Sequence, residues 1–260
     1  GLSTMCLIAW NWQPGRATPL LLLANRDEFY ARPALPLHWW GQAPNGAEVL
    51  AGQDLQGGGT WLGVSRSGRL AALTNYRSPE PPRTDTPSRG ELVAAFLQGD
   101  LDAPTYLEQL AQHCDDYNPF NLLVFDGHQL MGLESRNAKI LRKPPGVGAV
   151  SNADFQTPWP KLIQLKNRLQ QQEDRAQTDV NSLLPLLHDR SIAPDASLPH
   201  TGVPQELERV LSATFVATPT YGTRACSVVA IHQTHAEFFE QSHGAQGQIA
   251  ENHQIGRASC

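Results

Sequence analysis

The chain is short of cysteine, short of charge and without a long hydrophobic run, and each shortage removes a class of protein. Four cysteines in 260 residues, at positions 6, 114, 226 and 260, lie too far apart for a C-x-x-C pair or a compact disulfide framework, so they read as reduced thiols. Only 17% of the residues are charged and the formal net charge is −5, which leaves no basic surface of the kind a phosphate backbone requires. Nucleic acid is therefore not an expected partner. No apolar run approaches the roughly 18 residues needed to span a bilayer, and no charged segment leads into a shorter apolar stretch with a cleavage site. These absences point to a cytoplasmic protein that does not cross a membrane. There is no G-x-S-x-G elbow for a serine hydrolase and no C-x-x-C-H for covalent haem attachment. Gly57-Gly58-Gly59 lacks the lysine of a P-loop and precedes a strand, so it is read as a flexible turn before Trp61, with no nucleotide assigned.

What is present is a 40% hydrophobic chain, enough for a full core within a single domain over 1–260. Short apolar runs at 6–10 and 20–24, separated by turn residues 11–15, predict a hairpin. Runs at 60–65 and 69–74, flanking Arg66-Ser67-Gly68, predict a second. Ser88 and Glu91 form an S-x-x-E capping box for a helix ending near Gly99, and a second helix starts after Pro104 and stops by Asn118-Pro119. Strands are predicted at 121–125, 129–133, 139–141 and 147–150. Thr157 is read as the cap of an amphipathic helix through Gln172, followed by shorter helices at 181–188 and 205–211 and a last hairpin from 226–232 and 237–241. Segregated runs of strands and helices argue for an α+β fold of antiparallel sheets between helices. The segments 77–88 and 189–202 read as surface loops. Trp39-Trp40, if extended, sends one ring to each face of its strand. His232-x-x-His235 is assigned no metal, because no third ligand is placed nearby and a hairpin end is an ordinary address for two histidines.

The second apolar run ends abruptly in Asn25-Arg26-Asp27-Glu28, and hairpin pairing would bring Arg26 and Asp27 beside Cys6. The string resembles the signature of the NRDE family, also called the transport-and-Golgi-organisation family. Further blocks match in order: 58–64, Ala72 to Arg77, Ser88-Arg89-Gly90, Asn118 to Leu123, Ser151-Asn152-Ala153 with Pro158-Trp159-Pro160-Lys161, and Tyr221-Gly222-Thr223-Arg224. The family is similar in turn to N-terminal nucleophile hydrolases of the penicillin acylase and bile-salt hydrolase group. That resemblance implies a four-layer αββα sandwich and hydrolysis of the linear amide bond of a small acyl amide. It also implies six site residues: Cys6, Arg26, Asp27, Asn75, Asn152 and Arg224.

The chemistry such a site needs can be stated residue by residue. A thiolate attacks the carbonyl, and an N-terminal cysteine supplies both the sulfur and, in its α-amine of pKa about 7.7–8.0, the base that takes the thiol proton. Arg26, as a nearby cation, would favour the thiolate, and Asp27 would accept from the amine or hold Arg26. Asn75 and Asn152 resemble the neutral amide donors of an oxyanion hole, and Arg224 the arginine that orders the nucleophile. Here Cys6 follows Gly1-Leu2-Ser3-Thr4-Met5, so its nitrogen is an amide. The expectation is that residues 1–4 are a remnant or a misassigned start, and that translation from Met5 followed by loss of that methionine exposes Cys6. The alternative is a non-catalytic protein that binds a small molecule or haem in the same pocket, because eukaryotic members of the resembling family are associated with haem trafficking and lipid homeostasis.

Overall fold

The computed structural model describes residues 4–41 and 48–259, with side chains described to 249; Cys260 lies outside the described residues. Six strands and a helical segment form the first third and its boundary. They are β1 (Met5–Trp12), β2 (Leu20–Phe29), β3 (Ala34–Trp39), β4 (Val49–Asp54), β5 (Leu62–Ser65), β6 (Leu70–Asn75) and α1 (Gly90–Gln98). Next come α2 (Ala103–Ala111), β7 (Phe120–Phe125), β8 (Leu130–Glu134), β9 (Lys139–Arg142), β10 (Gly146–Val150) and α3 (Pro160–Asp174). The chain closes with α4 (Val180–Leu183), α5 (Gln205–Leu211), β11 (Tyr221–Ile231), β12 (His235–His243) and β13 (Ile249–Ser259).

Period-two alternation sorts the apolar side chains of the first hairpin into two cores. Ile8, Trp10, Leu20, Leu22 and Ala24 enter one cluster, while Leu7, Ala9, Leu21 and Leu23 enter another. Both strands are covered on both faces, which is why they read as nearly continuous apolar runs. One antiparallel sheet has the order β10-β1-β2-β11-β12-β13, and the other is the meander β3-β4-β5-β6-β7-β8-β9. The two sheets share the first cluster, which adds Leu50, Val64, Leu70 and Leu123 from the meander. Helices α1 and α2 cover the outer face of the meander through Leu92, Val93, Phe96, Leu97, Leu107 and Leu110. On the far face of the other sheet lie Leu162, Leu165 and Leu169 of α3, with Leu183 and Leu187. The result is α+β with four layers, helix, sheet, sheet, helix.

Local chemistry departs from the sequence reading at several places. Glu91 does not reach back to complete a capping box; its carboxylate accepts from the Tyr117 hydroxyl at 2.6 Å, while at the helix start the Ser88 hydroxyl oxygen accepts from the Gly90 N–H and the Ser88 carbonyl from the Glu91 N–H, each at 3.3 Å. Thr157 does not cap α3, whose first turn is set instead by Pro160 after Trp159. Asp102 caps α2, accepting from the Thr105 N–H at 2.9 Å, and that helix ends at Ala111, ahead of Asn118-Pro119. Trp39 packs in the inter-sheet cluster and Trp40 in the cluster under α1, one ring to each face.

Candidate functional site

Antiparallel pairing places Cys6 directly opposite Arg26, and Arg26 opposite Ala225 on its other side. Cys6 continues the row of Ile8 and Trp10, so it points between the sheets, one residue pair beyond the apolar cluster. Asp27 falls on the opposite, helix-covered face. There its carboxylate accepts from the Thr223 hydroxyl at 2.7 Å, with Lys161 of α3 and Arg77 as the nearby cations. The ladder between β2 and β11 slips between Thr223 and Ala225, and the residue left over is Arg224. That bulge lets the Arg224 guanidinium reach the carbonyls of Phe29 and Arg32, each at 3.0 Å from Nη1.

A cavity of about 300 Å³ opens where the two sheets part. Arg26, Asn75 and Arg224 line it, together with Thr4, Arg32, Asp54, Arg89 and Glu240. Cys6, Asp27 and Asn152 are not among its lining residues. The segment before Cys6 stands between the thiol and the cavity. Asn75 Nδ2 donates to the backbone carbonyl of Thr4 at 2.8 Å, and the Thr4 hydroxyl donates to the carboxylate of Glu28. Asn152 is committed to the framework, since its Nδ2 donates to the backbone carbonyl of Asn75 at 2.8 Å while its own carbonyl accepts from the Arg77 N–H at 2.9 Å. These bonds tie the end of β10 to the end of β6, and hence one sheet to the other. Ser151 adds a hydroxyl bond to the Cys6 carbonyl at 3.2 Å.

Electrostatics follow from burial. The Cys6 thiol is pushed well up by desolvation; Arg26 is the leading force in the other direction, opposed by Asp27 and Glu28 and helped by Lys161. In the chain with Thr4 and Met5 in place, burial outweighs the cation and the thiol stays protonated. Asp27 is also raised, first by burial, against the pull of Lys161. Lys161 is lowered to about 8, again chiefly by burial and then by Arg77. Arg77 is stacked on the Trp159 ring with its guanidinium carbon 4.4 Å from the centroid, and its Nη1 lies 3.4 Å from Glu208 of α5.

The structure therefore brings five predicted residues to one end of the sheets, three of them on the cavity and two behind it, and turns the sixth, Asp27, to the other face. Sequence reasoning gave no role to Lys161, Arg77, Thr223 or Glu208. Lys161 was signalled, because it shares the spacing of Leu165 and Leu169 on the buried stripe of α3, where a charge is out of place. It also missed Glu237, the third group at the last hairpin. The Nε2 atoms of His232 and His235 lie 3.8 and 3.4 Å from its carboxylate, so a third potential ligand does stand beside that histidine pair.

A sequence profile described as Transport and Golgi organisation 2 matches residues 5–244. The chain is 37% identical over 265 residues to the Transport and Golgi organization protein 2 homolog of Bos taurus, covering 92% of this chain and 93% of that one. The Homo sapiens homolog is 35% identical over 260 residues with the same shares, 92% and 93%. Among solved structures, penicillin V acylase from Agrobacterium tumefaciens superposes with a TM-score of 0.43 at 13% identity, over 90% of this chain and 82% of that chain. A mutant conjugated bile acid hydrolase from Clostridium perfringens gives 0.49 at 9% identity, over 97% and 92%. No helix of the described residues is long and apolar enough to cross a membrane.

Proposed function

We propose, for a chain that belongs to the Transport and Golgi organisation 2 family, that it is an N-terminal-nucleophile cysteine hydrolase. It cleaves the C–N bond of a small linear acyl amide, with Cys6 as nucleophile once the residues before it are removed and its α-amine is free. One observation carries the reading: Asn75 already holds a peptide carbonyl, that of Thr4, at 2.8 Å on the wall of the cavity. Removal of the segment through Met5 frees that donor for a substrate carbonyl at the place where the chain itself supplied one. It also uncovers Cys6.

In the reaction the Cys6 amine takes the thiol proton, the sulfur attacks the acyl carbon, and Asn75 Nδ2 donates to the oxyanion. The C–N bond breaks as the ammonium returns its proton to the leaving amine. Water, deprotonated by the same amine, then cleaves the thioester to the free acid. Arg26, directly across the ladder, offsets the charge of the thiolate, and Asn152 acts through Asn75 by fixing its backbone. Asp27 holds Thr223 and faces Lys161, which makes it a support of the strand end.

A second reading, a binder that uses the same cavity without turnover, is favoured by the absence of Cys6 from the lining. Haem does not fit that reading. His243 is the histidine among the lining residues, but it shares the helix-covered face of Cys226 and Gln241 and packs on Phe215, so it aims no axial donor into the cavity, and the lining offers no other among the described residues. The test is a screen of acyl amides against protein verified to begin at Cys6, beside its Cys6→Ser variant. Turnover by the parent, with substrate retained but unreacted in the variant, supports the hydrolase. Ligand binding that is equal in both, with no turnover in either, supports the binder.

A further inference from the structure

Behind the cavity wall, on the helix-covered face of the sheet, a second group of side chains converges that the proposed hydrolysis does not use. Cys226 on β11 pairs directly with Gln241 on β12, so their side chains leave the same face, and His243, two residues on, joins them. His188 enters from the layer above, at the end of the 3₁₀ turn Leu184–Leu187. The Nε2 atoms of His188 and His243 lie 2.7 and 3.0 Å from Oε1 of Gln241. The ligating atoms of His188, Cys226 and His243 all lie within 4.8 Å of one another. Two donors on one zinc ion stand roughly 3.3–3.8 Å apart, given Zn–N of about 2.0 Å and Zn–S of about 2.3 Å. A modest closing of rotamers is enough to make the fit.

Tautomer logic points the same way. His243 Nδ1 lies 3.2 Å from the carbonyl of Gly247, which can only accept, so in a neutral ring the proton sits on Nδ1 and the lone pair on Nε2. That lone pair is aimed at the same amide that His188 approaches. The arrangement is the one metal-binding histidines use, with the outer N–H held by a backbone carbonyl and the inner nitrogen bare. Phe215 stands edge-on to both rings, with centroids 6.1 and 4.9 Å away, and fixes their planes. Cys226 is fully buried. The Gln241 amide serves either state: its NH₂ can donate to both lone pairs, and a half-turn about its last torsion presents the oxygen.

We propose that His188, His243 and Cys226, with Gln241 as the fourth donor, form a binding site for a zinc-class transition-metal ion. Two imidazoles, a thiolate and one amide oxygen suit Zn²⁺, Co²⁺ or copper and not Mg²⁺ or Ca²⁺. On binding, Cys226 loses its thiol proton to solvent and both imidazoles enter neutral. The ion bonds the 184–188 segment to β11 and β12. Because Ser242 and His243 also line the cavity, the same bonds brace one of its walls.

The test uses the full chain after chelator treatment, with Co²⁺ as the spectroscopic probe and Zn²⁺ as competitor. The site predicts one equivalent of Co²⁺ that produces a thiolate-to-cobalt charge-transfer band, is displaced by Zn²⁺ and raises the melting temperature. Cys226→Ala and His188→Gln each abolish the band and the thermal gain. The double variant His232→Gln/His235→Gln retains both, which separates this site from the half-exposed histidine pair and Glu237. Should Cys226→Ala fold poorly by circular dichroism, His188→Gln decides, since it keeps the thiol and removes only a nitrogen. A parent with no band at saturating Co²⁺, or a band that survives in His188→Gln, overturns the assignment.

Discussion

Asn152 reaches from the end of one sheet to the last residue of β6 in the other, donating Nδ2 to the Asn75 backbone carbonyl at 2.8 Å. The bond is buried, so its loss leaves a desolvated carbonyl without a partner. Asn152→Ala is predicted to lower stability by about 1–3 kcal/mol, measured as a shift in denaturant midpoint with an unchanged slope. An exchange of no consequence for the midpoint would show that the asparagine is not a strut between the sheets.

Lys161 supplies a pH signature. Its ammonium is buried beside Arg77 and Asp27 and its pKa falls to about 8, against an ordinary value of 10.5. Between those two values the unfolded chain binds more protons than the folded one, so stability rises with pH over that window. Lys143, also lowered to about 8 by burial, contributes a parallel rise. Lys161→Met should therefore flatten the dependence between pH 8 and 10.5 without abolishing it, each lysine supplying at most about 1.4 kcal/mol per pH unit. Chemical denaturation of parent and variant across that range checks the difference; superimposable slopes would contradict it.

The glycine run is more constrained than a flexible turn. A Cβ on Gly59 would meet the Gly90 carbonyl carbon at 2.4 Å, where α1 begins against the loop. Gly58 has φ +80° and open space around it. Gly59→Ala is predicted to destabilise by at least about 1–3 kcal/mol, because backbone and not a side chain is in the way. Gly58→Asn, which accepts a left-handed conformation, should cost less. Thermal denaturation of the two variants orders them, and the reverse order would be inconsistent with the packing of α1.

How much of this the sequence discloses depends on whether the information is local. The strands with unbroken apolar runs, β1, β2, β6 and β7, are legible because burial on both faces leaves a plain signature. β3 and β4 escape it: Ala34–Trp39 carries Pro36 and is mostly half-exposed, and Val49–Asp54 turns polar midway. Hairpin logic alone put Arg26 beside Cys6, since the register follows from a turn. The same register sets Asp27 opposite Met5, while its side chain leaves the other face, because neighbours along a strand alternate. Asn75, Asn152 and Arg224 come from distant segments and were reached only through family resemblance. The Arg224 bulge and the Arg77–Glu208 contact depend on tertiary packing that no window of sequence contains.

Cys6 gives a prediction about reactivity. With Thr4 and Met5 in place the thiol is buried and held protonated, so alkylation of the native chain should be slow and comparable to that of the buried Cys226. In protein that begins at Cys6, labelling should be faster by at least an order of magnitude at neutral pH, and Arg26→Met should reverse part of the gain. Timed alkylation followed by peptide mass analysis reports each cysteine separately. Equal rates at Cys6 in the two forms would mean that the preceding segment does not shield it.

The most direct test of the central claim is the intact mass of protein translated from Met5, before and after brief exposure to a chain-length series of acyl p-nitroanilides and acid quench. The account predicts a chain that starts at Cys6 and gains the mass of one acyl group on the Cys6 peptide, absent from Cys6→Ser. A retained methionine, or a Cys6-first chain that acquires no acyl group from any member of the series, would contradict it.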